Sequence, residues 1–213
     1  MDVTTVIINY QTPDLLETAV RSFKDHYPDV PLLIGDNGSK DHSKNLIEDL
    51  SSELQNTKAV FFEENIYHGP AMDRMLKDHI ISEFVFFLDS DTETHTDGFL
   101  EEMSEIAASE DVYAVGQTIT VNERGFKDEN GFEIILTPYL FLKRAFYEEL
   151  PPFIHHGQPT IHNFKEAHER GLKLKDFPVS DYIHHHWRGT ADRFGYGLGI
   201  KGKLDYFLNK LGF

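Results

Sequence analysis

The stretch Phe84-Val85-Phe86-Phe87-Leu88-Asp89-Ser90-Asp91-Thr92-Glu93 joins five consecutive apolar residues to two carboxylates with one residue between them. An unbroken apolar run, rather than an alternating one, suits a strand covered on both faces, as central strands of parallel sheets are. The change to Asp-Ser-Asp ends that strand and sets charge at its carboxyl end, the edge where open α/β sheets bind ligands.

Outward from this strand the chain repeats a pattern of short apolar runs and amphipathic stretches, which predicts a mostly parallel sheet with crossover helices. Val3 to Asn9 reads as a first strand. Thr12 as N-cap and Pro13 in the first turn open a helix carrying Leu15, Leu16, Ala19, Val20 and Phe23 and ending near His26. Leu32 to Gly35 predicts a second strand, stopped by Asp36-Asn37-Gly38-Ser39, and Leu46, Ile47, Leu50 and Leu54 mark the next helix. Val60 to Phe62 predicts a third strand; Pro70 opens a helix with Met72, Met75, Leu76 and Ile80, and another follows Gly98. Beyond a strand at Val112 to Gly116 the regularity breaks into an α+β part. Thr118 to Val121 and Ile134 to Leu142 read as hairpin-like strands, Phe164 to Arg170 as a short helix, a strand ends at His184-His185-His186, and an amphipathic helix starts at Gly202.

Composition narrows the chemistry. The 213 residues are 40% hydrophobic and 26% charged and show no repeat or linker, so a single domain spanning 1–213 is expected. Twenty Lys and Arg against 36 Asp and Glu give a net charge of −16, which argues against nucleic acid and acidic membranes as partners. With no cysteine, thiolate catalysis and Cys-ligated metals are excluded, and any metal must be held by oxygen or imidazole. No apolar run approaches the roughly 20 residues of a membrane span, and the start MDVTTVIINY lacks a secretory signal, so a cytoplasmic protein without a transmembrane segment is expected. A phosphate-bearing substrate would be repelled by this charge unless a local cation compensated, which points to a divalent metal.

Residues after each predicted strand are unusually polar: Asn9-Tyr10, Asp36-Asn37-Gly38-Ser39, Asn65 with Gly69, and Asp89-Ser90-Asp91. Two carboxylates at a strand end suit Mg²⁺ or Mn²⁺, which prefer oxygen ligands and bridge to phosphates. Each segment also has a plainer reading: Asp89 to Asp91 as a turn capping a helix, Asp36 to Ser39 as turn chemistry, and Arg74 as a helix-surface partner of Asp73 or Asp78. An EF-hand loop from Asp89 fails, because Thr94 stands where Gly is required and Leu100 where Glu is. A haloacid-dehalogenase-type phosphatase fits poorly, with Glu93 in place of Thr or Val.

In their order, VIINYQT, LLIGDNGSKDHS, ENIYHGPAMDR and FFLDSDTE resemble the nucleotide-binding half of glycosyltransferase family 2, with the GT-A fold, over about the first 110 residues. The resemblance implies a Rossmann-like α/β sheet flanked by helices, with residues 1–110 binding a nucleotide sugar and 111–213 forming a small α+β acceptor-binding half. It assigns the nucleobase to Asp36 and the Asn9-Tyr10 region, the sugar-nucleotide site to Asn65, Arg74 and Ser90, the ribose and metal to Asp89, and the metal to Asp91. It implies an inverting, Mn²⁺- or Mg²⁺-dependent transfer from a nucleoside-diphosphate sugar, UDP being favoured, to a hydroxyl of a glycan or glycoconjugate.

PYLFLKRAFYEEL resembles the family's acceptor-side segment, which sets Tyr139, Phe141 and Arg144 beside the acceptor. The family's usual acidic base is missing: FIHHGQPTIHNFKEAHERG holds no acid before Glu166, so His155, His156, Gln158 or His162 stands in its place, with Asp128 or Glu129 on the preceding loop as alternatives. In YIHHHWRGT a late histidine, His185 or His186, resembles an additional metal ligand, and Trp187 and Arg188 would close over the donor. On a strand His184 and His186 share one side and His185 takes the other. Competing functions are a catalytically silent nucleotide- or sugar-binding module, and a phosphatase or nucleotidyltransferase on a related sheet. The last would carry a Gly-rich basic loop where this chain has Tyr10-Gln11-Thr12-Pro13.

Overall fold

The computed structural model describes residues 1–154 and 159–186. The expectations for His155, His156, Gln158, Trp187, Arg188 and the terminal helix lie outside the described residues. The first half comprises β1 (Val3–Asn9), α1 (Pro13–His26), β2 (Leu32–Asp36), α2 (Ser43–Glu53), β3 (Thr57–Phe61), α3 (His68–His79), β4 (Phe84–Asp89), β5 (Thr92–Thr94) and α4 (Phe99–Ala107). The rest comprises β6 (Val112–Gly116), β7 (Thr118–Val121), β8 (Phe132–Ile135), β9 (Tyr139–Lys143), α5 (Arg144–Tyr147), α6 (Ile161–Glu169), β10 (Lys173–Asp176) and β11 (Ile183–His185).

Seven strands form the central sheet in the order β10-β6-β9-β4-β1-β2-β3. All run parallel except β9, which is antiparallel to both β4 and β6. Two short ribbons, β5 with β11 and β7 with β8, stand apart from it.

The apolar run of β4 is divided between the two faces of the sheet. Phe84, Phe86 and Leu88 join the core beneath α1, α2 and α4, where Leu16, Phe23, Leu50 and Phe99 pack. Val85 and Phe87 enter the opposite core with Met72, Met75, Phe164 and Ala167 from α3 and α6. The period of two along a strand, with helices on both sides, is why no polar residue interrupts the run.

Four expectations are corrected. The third strand begins at Thr57 and ends before Phe62, and α3 begins at His68, ahead of Pro70. Thr12 precedes α1 but makes no side-chain cap; its hydroxyl donates instead to Asn9 Oδ1 (2.9 Å). Ile134 to Leu142 is not one hairpin strand: β8 pairs with β7, and after Pro138 the chain enters the central sheet as β9. Pro138 has no N–H to give a ladder, whereas Tyr139 to Leu142 are buried as a central strand requires.

Candidate active site

Register sets the functional side chains next to one another. Asn9 ends β1 opposite Asp36 at the end of β2, and Ile8 lies opposite Asp89 at the end of β4. Three carboxyl ends therefore meet at one edge of the sheet.

The β1 and β2 ends are locked by a buried polar network. Asn9 Nδ2 donates to Asp36 Oδ1 (3.3 Å), and the Ser39 N–H donates to Asp36 Oδ2 (3.0 Å). Ser39 Oγ accepts from the Gln11 N–H (2.9 Å), while the Thr12 and Ser90 hydroxyls lie 3.3 Å apart. Asn37 extends the network to the β3–α3 loop: its Nδ2 donates to Asn65 Oδ1 (3.2 Å) and its Oδ1 accepts from the Ile66 N–H (3.0 Å). Gly38 allows this approach, since at φ +73° a Cβ would fall 2.3 Å from the Glu64 carbonyl carbon. Asp36 to Ser39 is thus a turn and a connector between three strand ends at once.

The β4 end carries the charge. Asp91 is buried, and its Oδ1 lies 2.9 Å from His185 Nε2. Asp89 Oδ2 lies 4.0 Å from the same nitrogen, and Asp89 Oδ1 lies 3.9 Å from His68 Nε2. Burial pushes the Asp89 carboxyl above the usual carboxylate range; His68 and His185 oppose the shift and the Asp91 charge adds to it. Tyr139, edge-on to the His185 ring at 5.9 Å, has its phenol pushed up to about 12 by burial and by both aspartates.

His185 reaches this place because β11 pairs antiparallel with β5, aligning His185 with Thr92 and His184 with Glu93. The pairing continues into the turn, where the His186 N–H donates to the Asp91 carbonyl (2.9 Å). His185 alone of the three faces the aspartates; His184 is exposed, and His186 Nε2 lies 3.4 Å from Glu93 Oε2. One oxygen each from Asp89 and Asp91 and one nitrogen from His185 lie within 4.8 Å of one another. Two carboxylates and an imidazole fit a divalent cation such as Mn²⁺ or Mg²⁺ by their chemistry and by their spacing.

Other expected residues make contacts of their own. Arg74 extends along α3 to Asp78 (3.5 Å), with its guanidinium over the Phe62 ring at 5.2 Å. Asp128 shapes its own turn in the β7–β8 hairpin, its Oδ1 accepting the Asn130 N–H (2.9 Å). His162 is exposed in the first turn of α6, and Glu166 pairs with Arg170 at 2.8 Å. Phe141 is buried against Phe84 at 5.2 Å. Arg144 follows Lys143, which pairs with Phe84 at the amino end of β4, so it lies at the opposite edge from Asp89. His68 lies outside the sequence expectations, although its place ahead of Gly69-Pro70, after β3, marks it as a helix-start residue at the carboxyl edge of the sheet.

The mostly parallel seven-stranded sheet with helices on both faces is the Rossmann-like architecture of the GT-A type. The family described as "Glycosyl transferase family 2" matches residues 4–186, and the chain belongs to that family. No curated protein matches the chain in sequence. Among solved structures, it is similar to the mannosyltransferase PcManGT from Pyrobaculum calidifontis in complex with GDP-Man and Mn²⁺, at 18% identity and a TM-score of 0.68 over 83% of this chain and 55% of that one. It is also similar to residues 1–349 of TarS from S. aureus, at 15% identity and a TM-score of 0.64 over 91% of this chain and 62% of that one. The same TarS fragment in complex with UDP matches at 16% identity and a TM-score of 0.64, over 86% and 60% of the two chains. At such identities the likeness is one of fold, and the chain spans little more than half the length of these structures. Among the described residues no helix is long and apolar enough to cross a membrane.

Proposed function

We propose that the chain is an inverting, divalent-metal-dependent glycosyltransferase that moves a sugar from a nucleoside-diphosphate sugar, UDP-linked, to a hydroxyl of a glycan or glycoconjugate acceptor. The carrying observation is the convergence of Asp89, Asp91 and His185 at the edge where Asn9 and Asp36 also end. A metal held by these three residues would supply positive charge to a departing diphosphate. In a protein of net charge −16 that local charge is the more necessary.

On this reading residues 1–110 hold the donor, and 111–213 complete the same domain on the acceptor side. Asp36, Asn9 and Tyr10 bind the nucleobase. The buried network around Asp36 fixes its carboxylate in advance, so little ordering remains to be lost on binding. Asn65 and Ser90 line the path between base and metal, and Asp89 faces ribose and metal together. His68 supplies a donor group beside Asp89, and Arg74, which pairs with Asp78 at 3.5 Å on the surface of α3, supplies a cation for the phosphates. The acceptor hydroxyl loses its proton to a base on the acceptor side, with His156, His162 and Asp128 the candidates; the Asp128 carboxylate also accepts the Asn130 N–H of its own turn. The fold neighbours in complex with GDP-Man and with UDP support a nucleotide-linked donor.

Thermal unfolding against UDP, GDP and dTDP, each with and without Mn²⁺, tests the reading. Ligand at 100 times its Kd adds about 2.7 kcal/mol, a rise of about 5–10 °C for a chain of this size. The rise is expected with UDP only when metal is present, and is expected to vanish in Asp91→Asn. Wild-type turnover by the Asp91→Asn protein in Mn²⁺ would overturn the proposal.

A further inference from the structure

Among the described residues, three that are not glycine have a positive φ: Gln11 (+56°), Asn56 (+55°) and Tyr67 (+69°). Asparagine tolerates such a φ, and Asn56 sits in the turn before β3, at the amino edge of the sheet. Gln11 and Tyr67 belong instead to the β1–α1 and β3–α3 loops, at the carboxyl edge. With ψ at 166°, Tyr67 occupies a region populated almost only by glycine. Yet 57% of its surface is exposed, so burial of the ring does not account for a tyrosine at this position. Strain of this kind is kept at functional sites, and the surroundings of Tyr67 say which function it serves.

In the sheet β1 lies between β2 and β4. After β1 the chain passes outward through β2 to β3 and then returns to β4 on the other side of β1, so the β1–β4 boundary is the switch point at which an open α/β sheet binds its ligand. The β3–α3 loop crosses this crevice. Its Asn65 Oδ1 accepts from Asn37 Nδ2, just past the end of β2 (3.2 Å), while His68 Nε2 lies 3.9 Å from Asp89 Oδ1 at the end of β4. Tyr67 comes between these anchors, one Cα step of about 3.8 Å from His68. Its backbone therefore lies between the β2 and β4 ends, across the end of β1. The Tyr67 N–H donates to Asn65 Oδ1 (2.8 Å), which ties the strained conformer to the network that also holds Asp36.

We propose that Tyr67 is a donor-binding residue whose ring packs on the nucleoside of the bound nucleotide, between the Asp36 cradle and the Asp89–Asp91 cluster. The proposal rests on the transferase reading and names a contact within its donor site. An aromatic plane suits a base and its ribose, since every base has a face on which a ring can stack. The hydrogen-bonded loop sets that plane before the ligand arrives, which lowers the ordering cost of binding. A glycine at position 67 would relieve the backbone and remove the contact. Tyr67 thus trades stability of the free protein for hold on the donor.

The test titrates UDP in Mn²⁺ into the full chain by calorimetry, as wild type, Tyr67→Phe, Tyr67→Leu and Tyr67→Gly, with the Tm of each taken without ligand. Tyr67→Phe keeps the ring and is expected to bind UDP within about twofold of wild type. Tyr67→Leu keeps a side chain at the same backbone but no ring, and is expected to lose about 5- to 150-fold in affinity, the range of one base–aromatic stack. Tyr67→Gly is expected to lose as much while melting higher than wild type. A residue serving the fold alone would lower Tm and affinity together. UDP affinity within about twofold of wild type in Tyr67→Leu and Tyr67→Gly, or a loss in Tyr67→Phe as large as in Tyr67→Leu, would overturn the proposal and leave the transferase reading standing on wild-type binding. Failure of wild type itself to bind UDP in Mn²⁺ would overturn both.

Discussion

Gly38→Ala perturbs a residue at which the Asp36 turn and the β3–α3 loop meet backbone to backbone. At φ +73° an alanine bears the left-handed strain of about 1–2 kcal/mol. Its Cβ would also stand 2.3 Å from the Glu64 carbonyl carbon and 2.6 Å from Asn65 N, where ordinary contacts begin at 3.4 Å. The neighbour is backbone, so relief requires the two loops to part by about 1 Å, and such overpacking costs about 1–3 kcal/mol. The sum, about 2–5 kcal/mol, lowers Tm by about 4–20 °C. Parting the loops also stretches the Asn37 hydrogen bonds to Asn65 and to the Ile66 N–H, and so loosens the proposed nucleobase cradle. Gly98→Ala is the matched control: Gly98 has φ +91° but open space where the Cβ would go, leaving strain alone. Differential scanning calorimetry of both variants, with UDP and Mn²⁺ titrated into each, separates the two costs. If Gly38→Ala melts no earlier than Gly98→Ala and binds nucleotide as wild type does, the close approach does not fix these loops.

Three further outcomes are expected. Tyr67 is held at φ +69° and ψ 166°, a region populated almost only by glycine, so Tyr67→Gly should raise stability by about 1–3 kcal/mol in denaturant titration. Asp89 has a folded-state pKa above its unfolded value, so its contribution is present below the ordinary carboxylate pKa and is lost as pH rises through the raised one; metal-free Asp89→Asn should melt higher than wild type at pH 7 and lack this acid-side slope. The buried Asn163 accepts from the Tyr113 hydroxyl (2.8 Å) and donates to the Pro151 carbonyl (2.7 Å), so Asn163→Leu should cost about 2–4 kcal/mol in urea titration by leaving both groups unpaired.

The parallel half of the sheet was legible because its signals are local. The unbroken run of β4 states that both faces are covered, and Asp89-Ser90-Asp91 states where the strand stops. Asn9 and Asp36 were legible for the same reason, as polar residues ending apolar runs. The acceptor side was harder to read. β9 shows no more than an apolar run after Pro138, and nothing within it says whether it continues a hairpin or crosses into the central sheet.

The sequence by itself determined the order of strands and helices in the parallel half, the edge at which polar strand ends gather, and the two aspartates presented there, since periodicity and strand ends are written within a few residues. Tertiary structure decided which histidine joins them. His185 meets Asp91 across 94 positions of the chain, and only the register of β11 on β5 turns it inward while His184 and His186 turn outward. It also decided that Arg74 pairs along its helix and that His68 stands beside Asp89. A shift of one residue in that register would exchange the two faces of the ribbon, because side chains alternate along a strand; no local pattern in His-His-His can encode the choice.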